Sequence, residues 1–434
     1  MSGRIMILKN ARLVDGSVID LRLNNGLIAE ISTSLPDGAD SIDLAKNLLI
    51  PGLVDLHTHL REPGREDSET VASASAAAVT GGYTAVSAMA NTFPVADTAG
   101  VVEQVFRLGQ EAGLCDVFPI GAVTQGLNGA SLAELGAMAN SLAHVRMFSD
   151  DGKCVFDPLL MRRALEYVKS FNGIIAQHAQ DPRLTVGAQM NEGVISGHLG
   201  LTGWPAVAEE AIIARDILLA DHVGSRLHIC HLTTAGGVEL VRAAKARGIN
   251  VTAEVTPHHL LLTDDLVVGY DPVFKVNPPL RTSKDVEALR IGLADGTIDV
   301  VATDHAPHPA EDKDCEWQAA AFGMLGLETA LSVVVTAMID TKLMDWATLV
   351  ERMSIAPARI AGYGSHGGRI AVGSAANLAV IDTSAVWQVD RNRLASKSRN
   401  TPFHGMNVSS VVKRTIFKGV EVFRNGEVLN RGDL

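Results

Sequence analysis

Two histidines separated by one residue, His57 and His59, stand at the end of the apolar run LVDLHTH. Side chains along a strand alternate faces, so both imidazoles leave the same face and can grip one cation. Neutral imidazole nitrogen suits zinc. Taken alone the triplet is weak, because most such triplets in proteins hold no metal. Other apolar runs end in the same way. Asn91 closes YTAVSAMAN, Asp150 and Asp151 close HVRMFSDD, His178 closes GIIAQHA and His231 closes RLHICHLT. His258 and His259 close NVTAEVTPH, and Asp304 with His308 closes DVVATDHAPH. Histidines and carboxylates at the ends of apolar strands are costly to bury without partners. So many at one rim call for a shared partner, and a metal centre is the obvious one. Its chemistry would be to acidify water and polarise a carbonyl.

Each residue also has a plainer role open to it. Asp55, two residues deeper than His57 on the same face, either orients a ligand histidine or is simply hydrogen-bonded at the strand base. A lone histidine at a strand end, such as His178, is usually just a satisfied polar group. His228 competes with His231, but lies three residues back and, by alternation, on the opposite face. Asp304 could cap the next helix; the hydrophobic residues before it and His305, Pro307 and His308 after it favour a site.

The elements that would position these residues follow from the pattern between them. The seven runs that carry these residues, together with DVFPIGAVT, make eight strand-like runs between about residues 53 and 363. They alternate with helix-like stretches such as SETVASASAAAVTGG and VELVRAAKARG. Eight such units predict an α/β fold, a (β/α)8 TIM barrel with its active site at the C-terminal ends of the strands. Residues 1–52 and 364–434 read as short strands broken by turns, and neither end is long enough to bury a core alone. Both are expected to pair into one small flanking β-sandwich domain beside a catalytic barrel of residues 53–363.

Composition bounds the partners. A formal net charge of −12 argues against nucleic acid, whose phosphates demand Lys and Arg. An anionic substrate would need a local positive site, from a metal or an arginine. Aromatics are only 4% of the chain, so the core must be aliphatic. Cys115, Cys154, Cys230 and Cys315 are widely spaced, which predicts thiols in a reducing compartment rather than a disulfide framework. No signal peptide or membrane span is evident, and the expected location is the cytoplasm.

The order and spacing of the strand-end histidines and aspartates resemble the amidohydrolase superfamily. Within it, the chain resembles the class I (bacterial type) dihydroorotases over nearly its whole length. The motifs that carry this are PGLVDLHTHLREPG, AMANTFP, FSDDGK, HICHLTT, TPHHLLLTDD, KVNPPLR, ATDHAPH, FGMLGLETAL and NTPFHG. Hydantoinases and dihydropyrimidinases are similar, but place a carboxylated lysine where the fourth strand meets the metals; here that strand end reads FSDDG. The resemblance implies a zinc pair, with His57, His59 and Asp304 on one ion, His178 and His231 on the other, and Asp151 bridging. Asp150 would be a supporting acid, and Lys153 lies too far along to replace Asp151. Asp304 would also move the proton. The implied substrate is dihydroorotate, interconverted with carbamoyl aspartate in pyrimidine biosynthesis. Its carboxylate would meet Arg61, Asn91 and His308, with His59 close by, while Asn277 and the backbone at Phe322 and Gly323 would read the ring edge. The polar stretch HPAEDKDCE would be a solvated loop or a lid. Allantoinase or hydantoinase activity is the rival reading. A homo-oligomer is expected, and association with an aspartate carbamoyltransferase is a further partner the resemblance implies. Some similar chains have lost the ligands and serve only in that assembly, whereas all six implied ligands are present here.

Overall fold

The computed structural model describes residues 5–38 and 40–429. Each of the eight apolar runs contains a strand: β1 Leu53–Thr58, β2 Tyr83–Ala88, β3 Asp116–Pro119, β4 Met147–Phe148, β5 Ile174–Gln177, β6 Arg226–Ile229, β7 Val251–Val255 and β8 Val300–Val301. Neighbours in this order pair in parallel, β1 to β3 in one set and β4 to β8 in another. Single parallel bridges, Gly121 to Phe148 and Thr58 to His305, join the two sets at both edges. The pairings therefore run in a ring in chain order, and a helix follows each strand, from Val71–Thr80 after β1 to Ala330–Val334 after β8. Parallel strands need such crossovers, and covering the sheet with them explains why β1, β2 and β5 are buried along their whole length.

Local sequence explains how the helices sit. Thr70 and Ser73 form a capping box at the start of Val71–Thr80, satisfying backbone N–H groups that the first turn leaves free. Its small side chains, VASASAAAVT, let it lie close to the sheet. It stops at Gly81, where a Cβ would fall 2.1 Å from the Leu327 carbonyl oxygen. Helix Pro158–Lys169 opens with a proline, which needs no N–H there, and Asp157 accepts from the Leu160 N–H at 2.8 Å. The core between strands and helices is aliphatic, with Val86, Val117, Ile175, Leu227, Val251 and Val301 among its buried residues. Each such side chain contributes about 1.5–3 kcal/mol on burial.

The two chain ends meet in one nine-stranded sheet. Its seam is the antiparallel pairing of Leu48–Pro51 with Leu378–Gln388, in register from Leu378 opposite Pro51 to Ile381 opposite Leu48. Leu8, Leu21, Leu49, Leu378 and Ile416 form its own apolar cluster. The Thr415 hydroxyl donates to the Val79 carbonyl at 2.6 Å, which ties this sheet to the first barrel helix. All four cysteines are free, and burial pushes the Cys115, Cys154 and Cys230 thiols up to about 12. No helix among the described residues is long and apolar enough to cross a membrane.

Candidate metal centre

The strand ends converge on Asp151. One of its oxygens, Oδ1, lies 3.2 Å from His231 Nε2 and 3.3 Å from His178 Nδ1. The other, Oδ2, lies 3.3 Å from His59 Nε2 and 3.4 Å from His57 Nε2. Asp304 Oδ1 approaches the same pair, at 3.0 Å from His59 Nε2 and 3.6 Å from His57 Nε2. Beside a further group, His57–Cys230–Glu254, two sets of potential ligand atoms lie here, His57–His59–Asp151 and Asp151–His178–His231, each with all its atoms within 4.8 Å of one another. Asp151 belongs to both. All six side chains are buried, having come from the ends of β1, β4, β5, β6 and β8.

The far nitrogens of three histidines are held by oxygen acceptors. His57 Nδ1 meets Glu254 Oε1 at 2.5 Å, His59 Nδ1 meets Asn91 Oδ1 at 2.9 Å, and His178 Nε2 meets Gln180 Oε1 at 2.7 Å. Such partners put the proton on the outer nitrogen and leave a lone pair on the inner one. His178 Nδ1 and His231 Nε2 lie only 2.8 Å apart at the centre. His57 Nε2 is buried with no hydrogen-bond partner. A cation placed among these atoms would satisfy them, and neutral imidazole with carboxylate is a donor set suited to a transition metal.

Charge points the same way. Burial alone would lower the His57 imidazole, but Asp151, Glu254 and Asp304 hold it well above its usual range. Burial opposes ionisation of the acids and is outweighed: His57, His178 and His231 hold Asp151 well below the usual carboxylate range, and His57 and His59 bring Asp304 to about 2. Three buried carboxylates around these imidazoles demand positive charge, supplied by protons or by metal. Such a set of buried imidazoles and carboxylates is the kind that holds a metal in hydrolases.

Glu254 is the residue that reading the sequence missed. Besides His57 it accepts from the His231 N–H at 3.1 Å and meets His228 Nε2 at 3.1 Å. Strands β1 and β7 are not neighbours in the ring, so the His57–Glu254 contact crosses the barrel interior. His228 therefore points inward as well, contrary to the opposite-face expectation. Alternation fails because β6 ends at Ile229, and His231 turns towards Asp151 with a φ of 28°. An acid inside the apolar run NVTAEV was the available signal. Glu254→Gln should weaken metal binding about 10–100-fold, with activity recovered at excess metal. Chelator competition measures this, and unchanged affinity would remove Glu254 from the ligand scaffold.

The other acids take supporting places. Asp55 accepts from the N–H groups of His57 at 3.0 Å and Thr303 at 3.1 Å, so it fixes backbone and orients no imidazole. Asp150 turns away from the centre and accepts the Val123 and Thr124 N–H groups at 2.8 and 2.9 Å. Lys153 is exposed. His258 and His259 are buried; burial pushes the His258 imidazole down to about 4. His259 is tied to Thr256 and to the Pro278 carbonyl.

Beside the centre, Arg61 donates through Nε to the Pro307 carbonyl at 3.1 Å, and its Nη2 lies 3.3 Å from His308 Nε2. His308 Nε2 also meets the Phe322 carbonyl at 2.9 Å. Burial and the Arg61 charge push this imidazole to about 2, so it is neutral and its Nε2–H is engaged by Phe322. Asn277 donates to Gln180 Oε1 at 3.3 Å, while its own Oδ1 is buried and unpartnered. Gly323 has a φ of 148°, and a Cβ there would lie 2.8 Å from His308 Nε2. Glycine is required at this position. The stretch 308–316 is no free loop: Ala310–Lys313 is a short helix and Lys313 is buried.

Comparison with known proteins agrees with this class. The dihydro-orotase-like family matches residues 46–236. A dihydroorotase of Streptomyces coelicolor is 63% identical, covering 97% of this chain and 99% of that protein. One from Mycobacterium tuberculosis is 54% identical over 95% of this chain and 97% of its own. Among solved structures, an L-hydantoinase (dihydropyrimidinase) from Arthrobacter aurescens superposes with a TM-score of 0.87 at 27% identity, covering 98% and 97% of the two chains. The fold is thus that of the TIM-barrel amidohydrolases. The chain belongs to the dihydroorotase family, and it is a cyclic amide hydrolase of pyrimidine biosynthesis.

Proposed function

We propose that the chain interconverts dihydroorotate and carbamoyl aspartate at a zinc pair held by His57, His59, Asp151, His178, His231 and Asp304. The observation that carries this reading is the position of Asp151, whose two oxygens each face a different pair of histidines. A direct carboxylate bridge needs no modified lysine, and this favours a dihydroorotase over the hydantoinases that share the fold. When bound, the metals supply an acidified water and a Lewis acid for the ring carbonyl.

The protein's own groups do the rest. Asp304 accepts the proton of the attacking water and returns it to the ring nitrogen as the C–N bond breaks. Its Oδ1 lies 3.0 Å from His59 Nε2, beside the ligand set it would complete. Arg61, with the Asn91 amide, receives the substrate carboxylate, and a guanidinium fork suits that group. His308 sets the position of Phe322 through its carbonyl. Asn277, with the backbone at Phe322 and Gly323, meets the donors and acceptors of the ring's planar imide edge. Residues 53–363 form the catalytic domain, and the described residues of 1–52 and 364–434 a flanking β-domain built on the nine-stranded sheet rather than on two packed sheets. The class I subtype, a cytoplasmic location, self-association and assembly with an aspartate carbamoyltransferase belong to the same proposal.

The test is metal content by mass spectrometry on the purified chain, alongside hydrolysis of dihydroorotate, hydantoin and allantoin. About two zinc ions per chain and a rate confined to dihydroorotate are expected. Preference for hydantoin or allantoin would replace the substrate assignment. A metal-loaded chain that acts only after carbamoyltransferase is added would make that partner obligatory.

A further inference from the structure

Two lysines beside the centre are buried without use in the chemistry. Lys275 is 1% exposed and Lys313 8%. Their partners are main-chain carbonyls. Lys275 Nζ donates to Trp317 at 2.7 Å and Gln318 at 3.2 Å; Lys313 Nζ donates to Ala321 at 2.8 Å and to Lys275 itself at 3.0 Å. Lysines are seldom buried unless paired with an acid. Burial, with the neighbouring Lys275 charge, pushes the Lys313 amine down to about 7.

What these contacts join is specific. Lys313 staples the segment 310–313 across to both Lys275, two residues before Asn277, and Ala321, one residue before Phe322. The Gly323 N–H donates to the Lys275 carbonyl at 3.0 Å, and the Ala321 N–H to the Asp312 carbonyl at 2.9 Å. The Lys275 ammonium stands 4.5 Å from the centroid of the Phe322 ring. Outside, Asp312 pairs with Arg65 at 2.8 Å, so the short helix is also tied to the loop after β1. One carbonyl, that of Lys275, receives both the Lys313 ammonium and the Gly323 N–H. It is the point at which the segment before Asn277 and the Phe322–Gly323 segment are held together.

We propose that Lys313 is a positioning residue: it clamps the Lys275 and Ala321 carbonyls together and so sets the gap into which the substrate ring edge fits between Asn277 and Phe322–Gly323. This rests on the ring-edge role assigned to those residues above. Lys313 touches neither substrate nor metal, so its loss widens the subsite without altering the proton transfer. Binding suffers more than turnover, because Lys313 itself touches no reacting atom and a loosely seated ring weakens the ground and transition states alike.

The experiment compares Lys313→Met, Lys313→Gln and Asn277→Ala in the full chain, reading KM and kcat for dihydroorotate, zinc content and Tm. Lys313→Met should raise KM about tenfold with kcat within about twofold, and with zinc content and Tm near wild type. Methionine fills the same space, and exchanging a buried ion for an apolar side chain is often neutral for stability. Lys313→Gln keeps a donor and should fall between, which preserves the test should the Met variant fail to fold. A fall in Tm with unchanged KM would make Lys313 a structural residue only and overturn the proposal. If Asn277→Ala raises KM while both Lys313 variants leave it unchanged, the clamp is wrong and the ring-edge reading stands. If Asn277→Ala leaves KM unchanged, the ring-edge reading itself fails and takes the clamp with it.

Discussion

Replacing Asp151 with alanine is expected to empty the His178–His231 position, to weaken the His57–His59–Asp304 position and to lower dihydroorotate hydrolysis by about 10³-fold or more. The reason is geometric. Asp151 Oδ1 faces His178 and His231 while Oδ2 faces His57 and His59, so no other side chain belongs to both ligand sets. Asp304 reaches only the first set, at 3.0 and 3.6 Å. The second set without Asp151 is two imidazoles, too few for a stable site. The first would keep His57, His59 and Asp304 but lose the carboxylate that balances it against the other ion. The variant should stay folded, because Asp151 makes its contacts to the histidines at the rim rather than to the packed layers below. Zinc content by mass spectrometry, far-ultraviolet circular dichroism and the rate together check this. Two retained zinc ions with full activity would mean that the bridge lies elsewhere.

The strand ends were legible because burying a histidine or aspartate after an apolar run has an energetic cost that a sequence displays directly. His57, His59, Asp151, His178, His231 and Asp304 all lie where that argument places them, and the eight strands occur in the expected order. What stayed hidden were contacts across the barrel. Glu254 sits inside a strand rather than at its end, and its reach to His57 depends on a strand separated from it by 197 residues and by β8 in the ring. The orientation of His228 was misread because alternation was carried past Ile229, where the strand stops. Asn91 was expected to meet substrate; its Oδ1 holds His59, and only the amide nitrogen is left for that task. The stretch HPAEDKDCE looked solvated because composition averages over neighbours. Its single lysine, Lys313, points inward to two carbonyls, and nothing in a charged run marks which residue will do so.

Asp304→Asn separates holding a metal from moving a proton. The residue is buried and adopts a φ of 47°, a conformation that asparagine tolerates as well as aspartate. Asparagine keeps the shape and one oxygen, so the fold and the other five ligands stay in place. It cannot take a proton from the attacking water, and it cannot give one to the ring nitrogen. We expect kcat to fall about 10³- to 10⁴-fold, at the upper end for loss of a general acid–base group, with zinc content changed by less than half. Hydrolysis and ring closure pass through one transition state, so kcat/KM must fall by the same factor in both directions and leave the equilibrium position untouched. Steady-state assays from dihydroorotate and from carbamoyl aspartate, on protein of measured zinc content, decide the matter. A variant with both metals bound and kcat within tenfold of wild type would move the proton transfer to another group. The buried His258, whose Nε2 has no partner and whose imidazole is neutral, would be the next residue to replace.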